Sequence, residues 1–70
     1  MKNQIKKLRN EANMTQEHLS NIVGVSSRTI ISLEKGKYNP SILLAYKIAC
    51  VFHTTIENLY CLKENINDEI

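Results

Sequence analysis

Several features that define other classes of protein are scarce or missing in this sequence. Its 70 residues contain no apolar stretch long enough to span a membrane, and no signal-peptide pattern precedes the first helical segment. The only cysteines, Cys50 and Cys61, are too few and too widely spaced for a disulfide framework or a zinc site. These absences predict a soluble, cytoplasmic protein.

The cysteines and histidines still need an interpretation. Each cysteine lies in a segment of apolar periodicity, which favours a small hydrophobic side chain that is buried or half-buried. A reactive thiol or an inter-chain disulfide is the alternative. His18 and His53 have no acidic or cysteine partner at ligand spacing, so we predict two surface histidines and no metal site.

The groupings that catalysis requires are also missing. We find no glycine loop for phosphate, no Ser/His/Asp or Cys/His set with plausible geometry, and no paired carboxylates in a cleft-forming context. The sequence therefore predicts a protein that is not an enzyme, with no cofactor and no evident small-molecule ligand.

Charge is distributed unevenly along the chain. Hydrophobic residues make up 43% and charged residues 23%, an ordinary globular mixture. Residues 1–60 carry eight basic against four acidic side chains, whereas the last ten residues carry one against three. A basic body with a short acidic tail fits a polyanion-binding domain, although an excess of lysine is often just a solvated face.

Apolar residues recur at helical spacing, and no strand-like alternation competes with them. We predict one all-α domain, a compact five-helix bundle over residues 1–62, followed by a polar, frayed tail over 63–70. Thr15, Ser26 and Thr55 are the predicted N-caps. The predicted buried positions are Ile5, Leu8 and Ala12; Leu19, Ile22 and Val23; Ile30 and Leu33; Ile42, Ala45, Ile48, Ala49 and Phe52; and Ile56, Leu59 and Tyr60.

Residues that tolerate a left-handed backbone stand where helices should end. Asn13 is predicted to end the first helix, which runs from about residue 3 to 12. Gly24 and Gly36 are the predicted structural turns after the second and third helices. Pro40 in "KYNP" then opens the fourth helix, at about residues 41–52.

The break at Gly24 predicts a helix-turn-helix, with Val25 packed between the two helices. This geometry points the polar N-terminus of the third helix outward, in a form that suits the DNA major groove. The predicted base contacts on its outer face are Ser27, Arg28, Ile31 and Ser32. Arg28 is placed for a bidentate guanine contact, with a solvated arginine as the alternative, and Ile31 would contact a thymine methyl or pack at the helix edge.

Polar and basic residues flank that helix. Gln16 should reach a phosphate or the neighbouring Arg28. The full set of predicted phosphate contacts is Gln16, Thr15, Ser26, Lys35, Lys37, Tyr38 and Asn39.

Five segments, "TQEHL", "VGVSSRTI", "LEKGKYNPS", "AYKIA" and "TIENLY", carry a family resemblance. Over roughly residues 5–60 the chain resembles the lambda-repressor-like (XRE-type) helix-turn-helix regulators, and in build their small one-domain members. The resemblance implies DNA contacts at Gln16, Ser27, Arg28 and Ser32. It also implies an ion pair between Arg9 and Glu34, for which two unconnected surface charges are the alternative.

The sequence departs from the family pattern at a few positions. His18 replaces the usual glutamate three residues after the cap, so the capping box is incomplete. His53 stands where a helix-ending glycine is frequent, in a turn that strains a residue with a side chain. Ser27 is small where a longer polar residue is common, which shifts recognition toward Arg28.

Apolar residues off the predicted core suggest self-association. The predicted dimer patch is Leu43, Tyr46, Cys50, Val51 and Leu62, continued by Ile66. We predict a homodimeric, sequence-specific regulator of double-stranded DNA, a repressor on a palindromic operator in a bacterial or phage setting. The alternatives are a sticky monomer, a protein-interaction module such as an antitoxin-like partner or adaptor, and, less favoured, an RNA binder.

Overall fold

The computed structural model describes residues 2–69, apart from the side chains of residues 65 and 67–69. Within that range it contains helices and no strand, which confirms the predicted all-α class. The elements are α1 Ile5–Glu11, α2 Gln16–Val23, α3 Ser27–Glu34, α4 Ile42–Val51, α5 Ile56–Leu59 and α6 Leu62–Glu69. The radius of gyration is 11.4 Å.

The helices begin at side-chain caps. The hydroxyls of Thr15, Ser26 and Thr55 each accept a hydrogen bond from the backbone N–H three residues on, as predicted. Ser41 caps α4 in the same way through the N–H of Leu44, at 3.2 Å. Each hydroxyl satisfies a donor that the first turn of a helix cannot satisfy internally.

Five successive helices end in the same kind of turn. A residue one or two positions beyond each end has a positive φ, and the five are Asn13 (54°), Gly24 (79°), Gly36 (70°), His53 (53°) and Cys61 (51°). At the end of α3, the N–H of Lys37 donates to Ser32 O at 3.1 Å and that of Gly36 to Leu33 O at 3.0 Å, the two bonds of a Schellman motif. A Cβ built on Gly24 meets nothing within 4 Å, so glycine is needed there for its φ and not for space.

The core lies where the inner faces of the helices meet. Its buried hydrophobic residues are Ile5, Leu19, Val23, Ile30, Leu33, Leu44, Ala45, Ile48, Ala49, Leu59 and Tyr60. Three residues predicted to be buried are exposed: Ala12 beyond the end of α1, Ile22 (50% exposed) and Ile42 (82% exposed). Ser20, which was not predicted to be buried, is 2% exposed, and its hydroxyl donates to Glu17 O at 2.7 Å, so it is satisfied in the core.

The prediction of five helices was wrong, because residues predicted to form a frayed tail form α6. Cys61, with its left-handed φ, separates α5 from α6. The new helix packs on the core through Leu62, and Glu64 forms an exposed ion pair with Lys2 at 2.7 Å. The acidic side chains of residues 68 and 69, and residue 70, lie outside the described part of the chain.

Tyr60 gives the fold a testable response to alkali. Burial, with a smaller contribution from Tyr38, raises the pKa of Tyr60 from 10.0 to about 12. The unfolded chain therefore loses this proton first, and we expect the free energy of unfolding to fall as pH rises from 10 to about 12. Urea denaturation across this range should show a shallower fall for Tyr60→Phe. Tyr38→Phe should keep most of the slope, and an equal slope in all three proteins would contradict the assignment.

Candidate nucleic-acid interface

α2 and α3 pack directly on each other, and a short connection joins them. Gly24 N–H and Val25 N–H both donate to Ser20 O, at 2.9 and 3.0 Å, and reverse the chain within two residues. The half-buried Val25 packs against the core at this reversal. The two helices and their turn form the predicted helix-turn-helix.

The N-terminal turn of α3 is polar and open to solvent. Ser26, Ser27 and Arg28 are exposed. Ser26 Oγ accepts from Thr29 N–H at 3.3 Å, while the N–H groups of the first helical residues have no partner within the helix. Their partial positive charge, beside the Arg28 guanidinium, makes this end of the helix attractive to polyanions.

The other two predicted base contacts are less accessible. Ile31 and Ser32 are half-buried, so the outer face of α3 is narrower than predicted. The exposed part of the helix is its first turn, which contains Ser27 and Arg28.

The segment after α3 carries the remaining predicted phosphate contacts. Four exposed side chains lie in it: Lys35, Lys37, Tyr38 and Asn39. The Schellman motif that ends α3 fixes the backbone of Lys37, so this cation has a defined starting point. Thr15 is exposed at the start of α2.

A buried network joins α1, α2 and α3. Arg9 Nε donates to Glu34 Oε2 at 2.6 Å, with side chains that are 11% and 5% exposed, which confirms the predicted ion pair. Arg9 Nη1 also donates to Met14 O at 2.8 Å. Gln16 Nε2 donates to Glu34 Oε1 at 3.0 Å, so its described contact is with Glu34, where the sequence suggested a phosphate or Arg28. No pattern in the sequence indicated that Arg9 and Gln16 both donate to the carboxylate of Glu34.

A separate apolar area lies on α4. We call it the α4 surface: Ile42, Leu43, Tyr46 and Cys50, all of them exposed. The side chain of Cys50, one helical turn further on, raises the pKa of Tyr46. Beside the α4 surface, an apolar groove of about 230 Å³ is lined by Asn39, Pro40, Ile42, Ala45, Ile56, Tyr60 and Leu62.

Two residues of the predicted dimer patch do not belong to the exposed surface. Val51 and Leu62 are half-buried and pack against the core. Ile66, on α6, is 52% exposed, as expected for a continuation of the patch. Both cysteines are free thiols, Cys50 exposed and Cys61 half-buried.

No helix in the described part of the chain is long and apolar enough to cross a membrane. Among the same residues, no group of three or more His, Cys, Asp or Glu side chains could hold a metal ion.

The fold and the exposed helix end define a helix-turn-helix DNA-binding domain, a class without enzymatic activity. The chain belongs to the helix-turn-helix family HTH_3, whose model matches residues 5–59. It is a transcriptional regulator of this family, as the resemblance to XRE-type regulators predicted.

Curated relatives match nearly the whole chain. An uncharacterized HTH-type transcriptional regulator of Archaeoglobus fulgidus is 55% identical over 64 residues, covering 91% of this chain and 90% of its own. Similar regulators are 48% identical in Methanocaldococcus jannaschii, over 93% of this chain and 98% of the relative, and 44% identical in Bacillus subtilis, over 91% and 97%. The relatives thus come from archaea as well as bacteria.

A solved structure agrees with the fold. An HTH_3 family transcriptional regulator from Vibrio cholerae superposes with a TM-score of 0.70 at 22% identity over 90% of this chain. This chain spans 35% of that protein's chain, so the likeness shows a shared fold.

Proposed function

We propose that this protein is a sequence-specific repressor that occupies a palindromic operator in double-stranded DNA as a homodimer. α3 enters the major groove with its N-terminal turn, and Arg28 forms a bidentate contact with a guanine. Bound across a promoter, the dimer excludes other proteins from it. The observation that carries this proposal is the exposed, capped N-terminus of α3 with Arg28 in its first turn.

The charges around α3 support a nucleic-acid partner. Lys35 and Lys37 are exposed just beyond the helix. The one acidic side chain of α3, Glu34, is buried and paired with Arg9, so it does not offset the cations on the surface. Lysines and backbone N–H groups in such positions fix the register of a protein on the phosphate backbone, while the helix reads bases.

The α4 surface supports the homodimer. Leu43 is 60% and Tyr46 59% exposed, a large apolar area for so small a domain. One helix-turn-helix reads a short half-site, and two-fold dimers extend the site to two half-sites about 34 Å apart. A self-complementary patch on one face of α4 is the kind of surface that a two-fold interface uses.

We expect the variant Leu43→Ser/Tyr46→Ser to be monomeric at concentrations where the native protein is dimeric, because it loses the apolar contact area of the interface. Sedimentation equilibrium measures the change directly. Affinity for a palindromic site should fall at least tenfold, whereas affinity for a single half-site should not change. Ile22→Ser, at an exposed isoleucine of α2, is the matched control. A double variant that remains dimeric would contradict this use of the α4 surface.

The same surface favours one other function, that of a protein-interaction module. In that function its groove and exposed apolar residues bind another protein, and Arg28 makes no contact that the activity requires. Arg28→Ala and Tyr46→Ala distinguish the two functions. If Tyr46→Ala abolishes activity while Arg28→Ala leaves it intact, the interaction module is favoured.

Selection of binding sites from random duplex DNA, at near-physiological salt, tests the proposed function. An enriched palindrome with half-sites one helical turn apart is the expected result. A single half-site would keep the DNA-reading function and remove the symmetric dimer. Salt-sensitive binding without enrichment would overturn the proposal, and competition by double-stranded RNA would reveal an RNA binder.

A further inference from the structure

The segment before α1 is bonded to the far end of the recognition helix. Asn3 Nδ2 donates to the backbone carbonyl of Leu33 at 2.7 Å, across 30 residues of sequence. Leu33 lies in the last turn of α3, where carbonyls lack partners within the helix. Its oxygen also accepts from Gly36 N–H at 3.0 Å, so the side chain of Asn3 supplies the second donor to a carbonyl that can accept two hydrogen bonds.

The Asn3 side chain has little freedom to leave this position. Its Oδ1 accepts from Ile5 N–H at 3.1 Å, which fixes the orientation of the amide and satisfies a donor at the start of α1. The next residue, Gln4, donates its backbone N–H to Leu59 O at 2.8 Å. The segment is thus held to α1, α3 and α5 at once.

α1 holds α3 at a second, neighbouring point. Arg9 pairs with Glu34, the residue after Leu33. Asn3 bonds to a backbone carbonyl, which points along the axis at the end of α3, whereas Arg9 bonds to a side chain that projects from the flank of the helix, so the two contacts hold α3 from different directions. The packing of Ile30 and Leu33 in the core sets the approximate orientation of α3, and these two polar contacts restrict the rotation that the packing still allows.

The rotation of α3 decides where Arg28 points. Side chains end about 5–6 Å from the helix axis, so a rotation of about 10° moves them by about 1 Å. Hydrogen bonds weaken steeply beyond about 3.2 Å, and a shift of that size would break a bidentate contact with a base. Phosphate contacts from flexible lysines would tolerate it.

We infer that Asn3 is a positioning residue for sequence recognition, which sets the rotation of α3 through the Leu33 carbonyl without contacting DNA. The inference rests on the proposed function of α3 as the base-reading helix. It assigns Asn3 an effect on the preference among sequences, and no effect on the attraction of the protein to DNA in general.

Asn3→Asp isolates this role. The aspartate keeps an oxygen that accepts from Ile5 N–H, and its charge is favourable at the N-terminus of α1. It loses the amide donor to Leu33 O and places a carboxylate against that carbonyl. Asn3→Ala loses both bonds. Lys2→Gln is the matched control, because it changes the net charge by the same amount and breaks the adjacent exposed pair with Glu64.

Two measurements together decide the matter. With Asn3→Asp we expect about a tenfold loss in the ratio of affinities for the selected site and for a scrambled duplex, the effect of one lost hydrogen bond to a positioning group. The affinity for scrambled DNA and its salt dependence should match those of Lys2→Gln, whereas the melting temperature should fall by several degrees more, because the bond to Leu33 O is part-buried. Residual dipolar couplings of the free protein should show α3 rotated relative to α4 in Asn3→Asp.

An unchanged affinity ratio together with unchanged couplings would overturn the inference. A parallel loss of both affinities that follows the melting temperature, in Asn3→Asp as in Asn3→Ala, would also overturn it, because Asn3 would then serve stability alone. If the native protein selects no sequence, the proposed function fails. The dipolar couplings still decide in that case whether Asn3 sets the rotation of α3.

Discussion

Replacing Arg28 with alanine is expected to abolish sequence preference while leaving general affinity for DNA nearly intact. A bidentate arginine–guanine contact discriminates against a wrong base by about 1–3 kcal/mol. A dimer makes the contact twice, so the loss on a palindromic operator is about 2–6 kcal/mol. Competition binding of the selected operator against a scrambled duplex measures this loss.

Two control variants separate charge from geometry. Arg28→Lys keeps the charge and removes the planar fork, so most of the discrimination should still be lost. Lys37→Ala, at an exposed predicted phosphate contact, should weaken binding to all sequences alike and reduce the salt dependence. An Arg28→Ala protein that binds and selects like the native protein would show that α3 is not the reading helix.

Replacing Glu34 with glutamine is expected to destabilise the fold more than any surface substitution. Glutamine has nearly the same shape but leaves the Arg9 guanidinium, 11% exposed, without a counter-charge. Breaking one side of a buried ion pair costs about 3–5 kcal/mol. For a domain of this size that corresponds to a fall in melting temperature of at least about 12 °C.

Thermal unfolding followed by circular dichroism tests this expectation. Glu64→Gln removes the exposed pair with Lys2, whose side chains are 60% and 65% exposed, and should cost no more than about 1 kcal/mol. Replacing both partners, with Arg9→Met/Glu34→Leu, should recover much of the loss because no charge is left buried and unpaired. Equal losses for Glu34→Gln and Glu64→Gln would contradict a structural role for the buried pair.

The starts of the helices could be predicted because they depend on local chemistry. A hydroxyl at Thr15, Ser26 or Thr55 meets an N–H three residues away, and no other part of the fold has to be known. Most of the turns were equally local, since Asn13, Gly24 and Gly36 are residue types that accept a positive φ. Cys61 is not such a type, so its turn was missed, and α6 was missed with it.

The exposed isoleucines could not be predicted from periodicity. Ile22 and Ile42 fit the apolar stripes of α2 and α4, but the rotation of each helix is set by the neighbours against which it packs. α4 is apolar almost all round, and such a helix gives no sequence signal for which side faces inward. The exposed residues of α4 form the α4 surface. The sequence predicted Leu43, Tyr46 and Cys50 to lie there, but not Ile42.

The hydrogen bonds that join α1, α2 and α3 also divide into contacts that the sequence could predict and contacts that it could not. The family resemblance pointed to Arg9 and Glu34, and the structure confirms their pairing. The bonds of Gln16 to Glu34 and of Asn3 to Leu33 O join residues 18 and 30 positions apart. No propensity or spacing rule reports such contacts, because they depend on how the helices cross.

The bonds made by Asn3 and Gln4 also bear on the order of events during synthesis. These residues leave the ribosome before their acceptors, which belong to Leu33 and Leu59. At about 5–20 residues per second, translation needs about 3–11 seconds to pass from Gln4 to Leu59. During that interval the backbone of Gln4 lacks its acceptor, so the segment before α1 is held incompletely and stays accessible to chaperones and proteases until α5 is made.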